Sequence, residues 1–301
     1  MNPLLTIIIP YYNKKDTILR SVNSVKAQTY TNWELIIIDD CGEDRIQENT
    51  LPKDDRIRVV FNESNKGAAF TRQRGLENSK GEYIAFLDAD DWWDEKFLTN
   101  CIEILVNQKG SDGAYAQTLI VNNDSSQKLR RYCDRGYSSI RETLIQYARP
   151  WQTGGILWRK TSCGNWGNLK THEDSWFEFT SAQTNVLLPV FNSLYYVDMT
   201  GDNHLSKSNN LANTTKEQQE LFLMVEKNYW QKLNLKFRIV LINRLLRGQL
   251  KIIDYCSSSN AIEYRKKLQQ QQYFLGLISN SQFLLKMIHK VLQISPYKIH
   301  F

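Results

Sequence analysis

The sequence predicts an α/β fold with a mostly parallel central sheet flanked by helices, and three observations carry that expectation. Short runs rich in Ile and Leu, of strand length, alternate with segments whose apolar residues recur at helical spacing. The order strand, helix, strand repeats through the first hundred residues, as a parallel sheet with crossover helices requires. Three of the strand-like runs end in polar clusters, as strands do when their carboxyl ends border a ligand crevice.

The first strand is read from residues 4–9, a continuous apolar run suited to burial on both faces. Residues 16–28 follow as a helix, with Ile18, Leu19, Val22 and Val25 on one face. Residues 33–38 form a second buried strand, stopped by Asp39-Asp40-Cys41-Gly42. Residues 56–61 are the third strand, 68–78 the second helix and 83–87 the fourth strand. The polar clusters are Tyr11-Tyr12-Asn13, Asp39-Asp40 and Asp88-Ala89-Asp90-Asp91. Each alone reads equally as a turn, because Asn, Asp and Gly favour turns. Three of them in one α/β unit favour a shared site.

Residues 111–211 are less regular, with strands expected at 115–121 and 155–158 and a helix at 172–182. Half of the eight tryptophans fall here (Trp151, Trp158, Trp166, Trp176), and such rings either stack on sugars or fill a core. The Ser/Asn-rich stretch 206–215 is the expected linker. Beyond it, residues 211–301 are expected as a C-terminal helical extension. Leu235, Ile239, Ile242, Leu246, Leu250 and Ile253 recur at helical spacing, with Arg244, Arg247 and Lys251 on another face. Residues 283–294 repeat the pattern, with Lys286, His289 and Lys290 together.

A chain of 301 residues suggests two units, and 42% apolar with 23% charged residues is ordinary globular composition. Disorder, collagen-like repeats and disulfide miniproteins are thereby excluded. Five scattered cysteines with no CxxC spacing give neither a disulfide framework nor a thiolate zinc site, so a reducing cytoplasm is the expected compartment. The opening run lacks a positive n-region and is too short for a signal peptide, and no eighteen consecutive apolar residues occur. The net charge of +6 is uneven. Residues 236–301 hold eleven Lys/Arg against Asp254 and Glu263, a local +9 that leaves the preceding 235 residues at −3. A basic tail on a mildly acidic body points to an anionic partner for the tail.

Asp88, Asp90 and Asp91 are the clearest chemical signal. Carboxylates this close repel one another, and a divalent cation is the usual reason they persist together. Mg2+ or Mn2+ takes hard oxygen ligands, commonly one or two carboxylates plus substrate phosphates, and would neutralise charge developing on a departing diphosphate. An Asp-rich turn capping a helix that begins near Asp94 is the structural alternative. Neither a GxxxxGK[ST] loop nor a GxGxxG after the first strand is present, which argues against a P-loop NTPase and a dinucleotide-dependent dehydrogenase.

The series Ile7-Ile8-Ile9-Pro10-Tyr11-Tyr12-Asn13, Gln28-Thr29-Tyr30, residues 33–40, Asn65-Lys66-Gly67 and residues 81–91 resembles glycosyltransferase family 2. The resemblance is dense over residues 4–105 and thin to about 205. It implies the GT-A fold, here residues 1–210, with a nucleotide-sugar-binding half at 1–110 and an acceptor half at 111–210. It also implies inversion at the transferred sugar. By this resemblance Pro10 and Tyr12 line the nucleoside, and Asp40, helped by Asp39, accepts a hydrogen bond from a base, commonly uracil. Arg72 matches the arginine near the diphosphate, although its neighbours Thr71 and Gln73 depart from the family's Ala-Arg-Asn. Asp88-Ala89-Asp90 matches the DxD that holds ribose and metal, with Asp91 as a competing metal ligand.

His172-Glu173-Asp174-Ser175-Trp176-Phe177 resembles the family's Glu-Asp motif, whose aspartate is the general base. Single-displacement inversion needs a group that takes the acceptor hydroxyl's proton. An Asp opening a helix is also a good cap and suits the helix dipole. Residues 152–159 resemble the strand lining the acceptor side, which puts Trp158 there with Glu173. His204 is a further candidate at the diphosphate or metal, against the reading that a lone histidine does nothing catalytic. Gln-x-x-Arg-Trp does not follow Asp174, which favours single addition over a processive synthase.

The resemblance thus implies a transferase moving one sugar from a nucleotide-sugar, commonly a UDP-sugar, to a glycan or lipid-linked glycan of a surface polysaccharide, with Mn2+ or Mg2+ as cofactor. Peripheral contact of the basic helices with the inner face of the cell membrane is a further expectation. A nucleotidyltransferase is a rival, but Tyr11-Tyr12-Asn13-Lys14-Lys15 is not its glycine-rich phosphate loop. A non-catalytic nucleotide-sugar-binding protein or scaffold is the other. No nucleic-acid partner is expected, because the tail's cations alternate with Leu and Ile rather than with stacking aromatics.

Overall fold

The structure is a computed structural model that describes residues 2–47, 50–122, 127–129, 139–146, 151–170 and 172–200, and short stretches at 220–225, 227–229, 231, 238 and 240–242. The chain divides into two compact units, Met1–Lys207 and Ser208–Phe301. In the second, residues 220–225 and 227–229 are helical, with Leu221, Phe222 and Val225 buried. His204, the linker at 206–215, most of the amphipathic segment 235–253 and all of 283–294 lie outside the described residues.

The first unit is built on one sheet. Among the described residues its strands are β1 Leu5–Tyr11, β2 Trp33–Asp39, β3 Ile57–Phe61, β4 Tyr83–Phe86, β5 Trp92–Trp93, β6 Gly113–Val121, β7 Gln127–Leu129, β8 Ile156–Arg159 and β9 Leu187–Asp198. The helices are α1 Ile18–Lys26, α2 Ala68–Glu77, α3 Phe97–Asn107, α4 Ile140–Gln146 and α5 Glu173–Ser181. The spatial order is β3-β2-β1-β4-β8-β6-β9-β5, with β7 on β6. The first four strands are mutually parallel. Beyond β4 the sheet is mixed: β8 runs antiparallel to both β4 and β6, β9 parallel to β6, and β5 antiparallel to β9.

The pleat explains the layers. Leu5, Ile7 and Ile9 of β1 face one cluster with Ile18, Val22 and Val25 of α1 and Phe97, Leu98 and Leu105 of α3. Ile8 between them faces the other cluster, with Leu76 of α2, Ile84 and Phe86 of β4, and Phe177 of α5. β1 is therefore apolar on both faces, and each of its fully buried Ile side chains contributes about 2 kcal/mol relative to exposure. α1 buries Ile18, Ser21, Val22 and Val25, one stripe at helical spacing.

Parallel pairing places the carboxyl ends of β1, β2 and β4 on one edge. Tyr11 lies opposite Asp39, and the ladder runs on past the strands: Asp40 N donates to Tyr11 O at 2.9 Å and Leu87 N to Ile8 O at 2.9 Å. All three polar clusters thus meet at one edge of the sheet. The long strand β9 lies where no element was expected. It carries Pro189 and a register shift opposite Ala116/Gln117, both of which break a period of two.

Candidate active site

The two carboxylates at the end of β2 hold backbone. Asp39 is fully buried; its Oδ1 accepts from Cys41 N at 3.0 Å and its Oδ2 from Ile46 N at 2.8 Å, with Arg45 Nε 3.4 Å from Oδ1. Asp40 Oδ1 accepts from Asn62 Nδ2 at 2.6 Å and Lys66 N at 2.9 Å, and its Oδ2 from Gly67 N at 2.8 Å. Asp40 thereby fixes the turn that launches α2. Gly67 has φ 85°, a left-handed conformation that favours glycine. Pro10 is half-buried at the end of β1, and Tyr12 beyond it is 47% exposed. Lys14, one turn later, reaches Asp90 Oδ2 at 2.8 Å.

The Asp88–Asp91 turn splits its carboxylates. Asp88 has its side chain 35% exposed and Asp90 17%. Asp91 lies elsewhere than expected: it is 4% exposed, its Oδ1 accepts from Asp198 N at 2.9 Å and its Oδ2 from the Tyr195 hydroxyl. Burial pushes the Asp91 carboxyl well above the usual range, and the neighbouring Asp88 and Asp90 charges push it further. Among the described residues no group of three or more His, Cys, Asp and Glu side chains could by itself hold a metal ion. Asp88 and Asp90 fit Mg2+ or Mn2+ by the chemistry of their donors, two hard carboxylates, which here are paired with Arg72 and Lys14.

Arg72 joins the two motifs. From the first half of α2 its Nη2 donates to Asp88 Oδ1 at 2.7 Å, and its Nη1 to Glu173 Oε1 at 3.1 Å. Asp88 and Glu173, far apart in sequence, are thereby tied through one planar guanidinium, which suits two carboxylates better than an ammonium would. Burial alone would lower the Arg72 pKa, but the Asp88 and Glu173 charges more than offset it and hold it above its ordinary value. Trp166 is the floor of this bridge. Its ring lies 4.9 Å from the Arg72 guanidinium, stacks on Phe177 at 4.3 Å and meets Phe86 edge-on at 4.8 Å.

The loop carrying Trp166 also sets α5. Trp166 N donates to Gln73 Oε1 at 3.2 Å, Gly164 N to Ser181 Oγ at 2.9 Å, and Trp176 Nε1 to Asn165 Oδ1 at 3.1 Å. α5 opens on His172 in the left-handed region, φ 62°, and presents Glu173 and Asp174 in its first turn, where carboxylates suit the helix dipole. Asp174 Oδ1 accepts from Ser175 N at 2.6 Å. The geometry therefore gathers Asp88, Arg72 and Glu173 into one ionic chain, with Asp174 next to Glu173 and Asp90 two residues from Asp88.

Trp158 does not join them, which corrects its expected place on the acceptor side. It is fully buried, 5.6 Å from Phe177 in an edge-on pair, because β8 is an interior strand between β4 and β6. Trp151, Trp166 and Trp176 are buried too, so these rings fill the core rather than stack on a sugar. The structure adds residues with no local sequence signal. Lys14 follows the expected Tyr11–Asn13 cluster, but Trp166, Tyr195 and Asp198 are defined only by partners far away in the chain.

The family model for glycosyl transferase family 2 matches residues 6–170. The UDP-Glc:alpha-D-GlcNAc-diphosphoundecaprenol beta-1,3-glucosyltransferase WfgD of Escherichia coli is 41% identical over 123 residues, which are 40% of this chain and 48% of that protein. The chain thus matches about half the length of this curated relative. Staphylococcus aureus TarS 1-349 in complex with UDP-GlcNAc aligns at TM-score 0.61 and 15% identity, over 95% of this chain and 91% of that one. The mannosyltransferase PcManGT of Pyrobaculum calidifontis, solved with GDP-Man and Mn2+, aligns at TM-score 0.55 and 12% identity, over 98% and 89%. These two share the fold. With the family model covering more than half of its length, and the DxD and Glu-Asp motifs tied together through Arg72, the chain belongs to glycosyl transferase family 2.

Proposed function

We propose that this chain is a metal-dependent inverting glycosyltransferase that moves one sugar from a nucleotide-sugar, of which a UDP-sugar is the best candidate, to a hydroxyl of a glycan or lipid-linked glycan in surface polysaccharide synthesis. The observation that carries the reading is the Asp88–Arg72–Glu173 bridge, which brings the donor-side turn against the start of α5. Donor identity and a lipid-diphosphate acceptor are supported by what TarS binds and by the name of WfgD.

In this reading Pro10, Tyr12, Asp39 and Asp40 border the nucleoside, and Arg72 and Asp88 border the ribose and diphosphate. Asp88 and Asp90 would hold Mn2+ or Mg2+, which when bound offsets charge on the leaving diphosphate. Asp174 takes the proton of the acceptor hydroxyl as its oxygen attacks the anomeric carbon and the carbon–oxygen bond to the diphosphate breaks. Glu173, held by Arg72, fixes the first turn of α5 and so the position of Asp174. The basic region 211–301 docks the enzyme peripherally on the cytoplasmic face of the membrane.

A panel of UDP-, GDP- and dTDP-sugars with Mn2+, read by thermal shift and then by transfer to a lipid-diphosphate-linked acceptor, tests the reading. One donor should stabilise the chain and support transfer; Asp90→Ala should abolish transfer, and EDTA should do so reversibly. Full transfer in EDTA would overturn the metal dependence, and no stabilisation by any donor would overturn the function.

A further inference from the structure

We propose that Asp91 is a positioning residue: with Tyr195 it clamps the Asp88-Ala89-Asp90 turn onto β9 and so sets the placement of the Asp88 and Asp90 carboxylates. The inference rests on the reading above for what Asp88 and Asp90 hold. Residues 90–94 are stitched to residues 194–198 almost position by position. Asp94 N donates to Leu194 O at 3.1 Å, and Leu194 N donates back to the Asp94 carboxylate. Trp93 pairs with Tyr195 and Trp92 with Tyr196, the latter two rings stacking at 5.1 Å and 4°. Asp91 then spends one oxygen on the Tyr195 hydroxyl and the other on Asp198 N, while Ser21 Oγ donates to its carbonyl at 2.7 Å. Arg20 closes the far end, donating both to Asp90 O and to the Asp198 carboxylate.

Tyr195 is packed closely against Gly154. A Cβ built on Gly154 would lie 2.6 Å from its ring, and Gly154 is itself held by Trp93 Nε1, which donates to its carbonyl at 2.6 Å. The requirement for a carboxylate follows. Two donors arrive on two different oxygens, and an amide has only one acceptor oxygen to offer. Serving a cation instead would orphan a buried hydroxyl and a buried backbone N–H, each of which is costly to leave unpaired. The clamp is thus a use of the third aspartate that leaves metal to the other two.

The test uses the full chain as wild type, Asp91→Asn, Tyr195→Phe and the double variant, with Mn2+ and UDP as probes. Mn2+ affinity in the presence of UDP is read by calorimetry, donor KM and kcat by transfer assay, and stability by thermal melting. Loss of a group that orients metal ligands typically costs about 10–100-fold, so each single variant should weaken Mn2+ affinity or kcat by that order. The double variant should be no worse than the poorer single, because both remove the same clamp. Asp90→Ala, by contrast, should lose Mn2+ binding outright. Wild-type Mn2+ affinity in Tyr195→Phe with none in Asp91→Asn would make Asp91 a ligand and overturn the proposal. So would lowered melting temperatures with unchanged Mn2+ affinity, donor KM and kcat, which would leave Asp91 a purely structural role. If the wild type binds neither UDP nor Mn2+, the donor-site reading falls and the proposal with it. If it binds both and the cycle is additive, the clamp alone falls.

Discussion

A carboxylate in the first turn of a helix can favour the helix dipole, take a proton, or do both, and both roles are proposed for Asp174. Its Oδ1 already accepts from Ser175 N, so it contributes to the start of α5. Asp174→Asn nearly preserves size and hydrogen bonding but cannot accept a proton. The expected outcome is a folded protein whose melting temperature is close to wild type and whose transfer rate falls by about 10²–10⁴, the usual cost of losing general-base assistance. Donor affinity should change little, because the proposed nucleotide contacts lie within the first hundred residues. Near-normal transfer would refute the role, and lost donor binding would move Asp174 to the diphosphate. At this scale the sequence was informative where chemistry is local. Clustered Asp88 and Asp90, and Glu173 with Asp174, stand out as motifs. Tyr195 and Asp198 did not, because their partner Asp91 lies 104 and 107 residues away. Trp158 misled, since a tryptophan looks the same in a core as on a sugar platform until its strand's neighbours are known.

At the scale of elements, the packing of α2 on β1 sets where Arg72 stands, and Gly75 is the point of closest approach. A glycine inside a helix usually costs about 1 kcal/mol relative to alanine, so Gly75→Ala would ordinarily stabilise. Here an added Cβ would lie 2.3 Å from Ile8 Cγ2, and Ile8 is fully buried among Ile84, Phe86 and Leu76. Overpacking in such a core costs about 1–3 kcal/mol, which exceeds the propensity gain. Gly75→Ala is therefore expected to lower the melting temperature and to weaken donor binding, as α2 is pushed off β1 and Arg72 with it. A higher melting temperature would show that α2 can slide freely, and would remove the argument that it fixes Arg72. β1, β2 and β4 were legible in the sequence because burial on both faces makes them near-continuous apolar runs, whereas the edge strand β3 is half-buried and showed only as a short β-rich run. β9 was not legible, because its exposed positions, Pro189 and the register shift scatter its apolar residues. Its pairing to β6 and β5 depends on tertiary contacts rather than on pattern.

At the scale of the molecule, the charge is separated along the chain, and the two parts have different partners to find. Residues 236–301 carry +9 and the rest −3, and among the described residues no helix is long and apolar enough to cross a membrane. A basic segment near an anionic bilayer gains about 1 kcal/mol per Lys or Arg close to the surface. Even four or five such residues would hold the enzyme peripherally, beside the lipid-linked acceptor proposed above. This attraction is screened, since the Debye length falls from about 10 Å at 0.1 M salt to about 3 Å at 1 M. The full-length chain is therefore expected to co-sediment with vesicles containing anionic lipid at low salt, to be released at high salt, and to ignore purely zwitterionic vesicles. Arg244→Glu, Arg247→Glu and Lys251→Glu together reverse three charges on one predicted helix face and should weaken vesicle binding sharply. Stabilisation by the nucleotide-sugar should stay at wild type, because the proposed donor contacts all lie in the first unit. Equal binding to neutral and anionic vesicles would show that apolar insertion rather than charge holds the tail. Failure to bind either at low salt would leave the basic residues as a solvated face and the membrane proposal refuted.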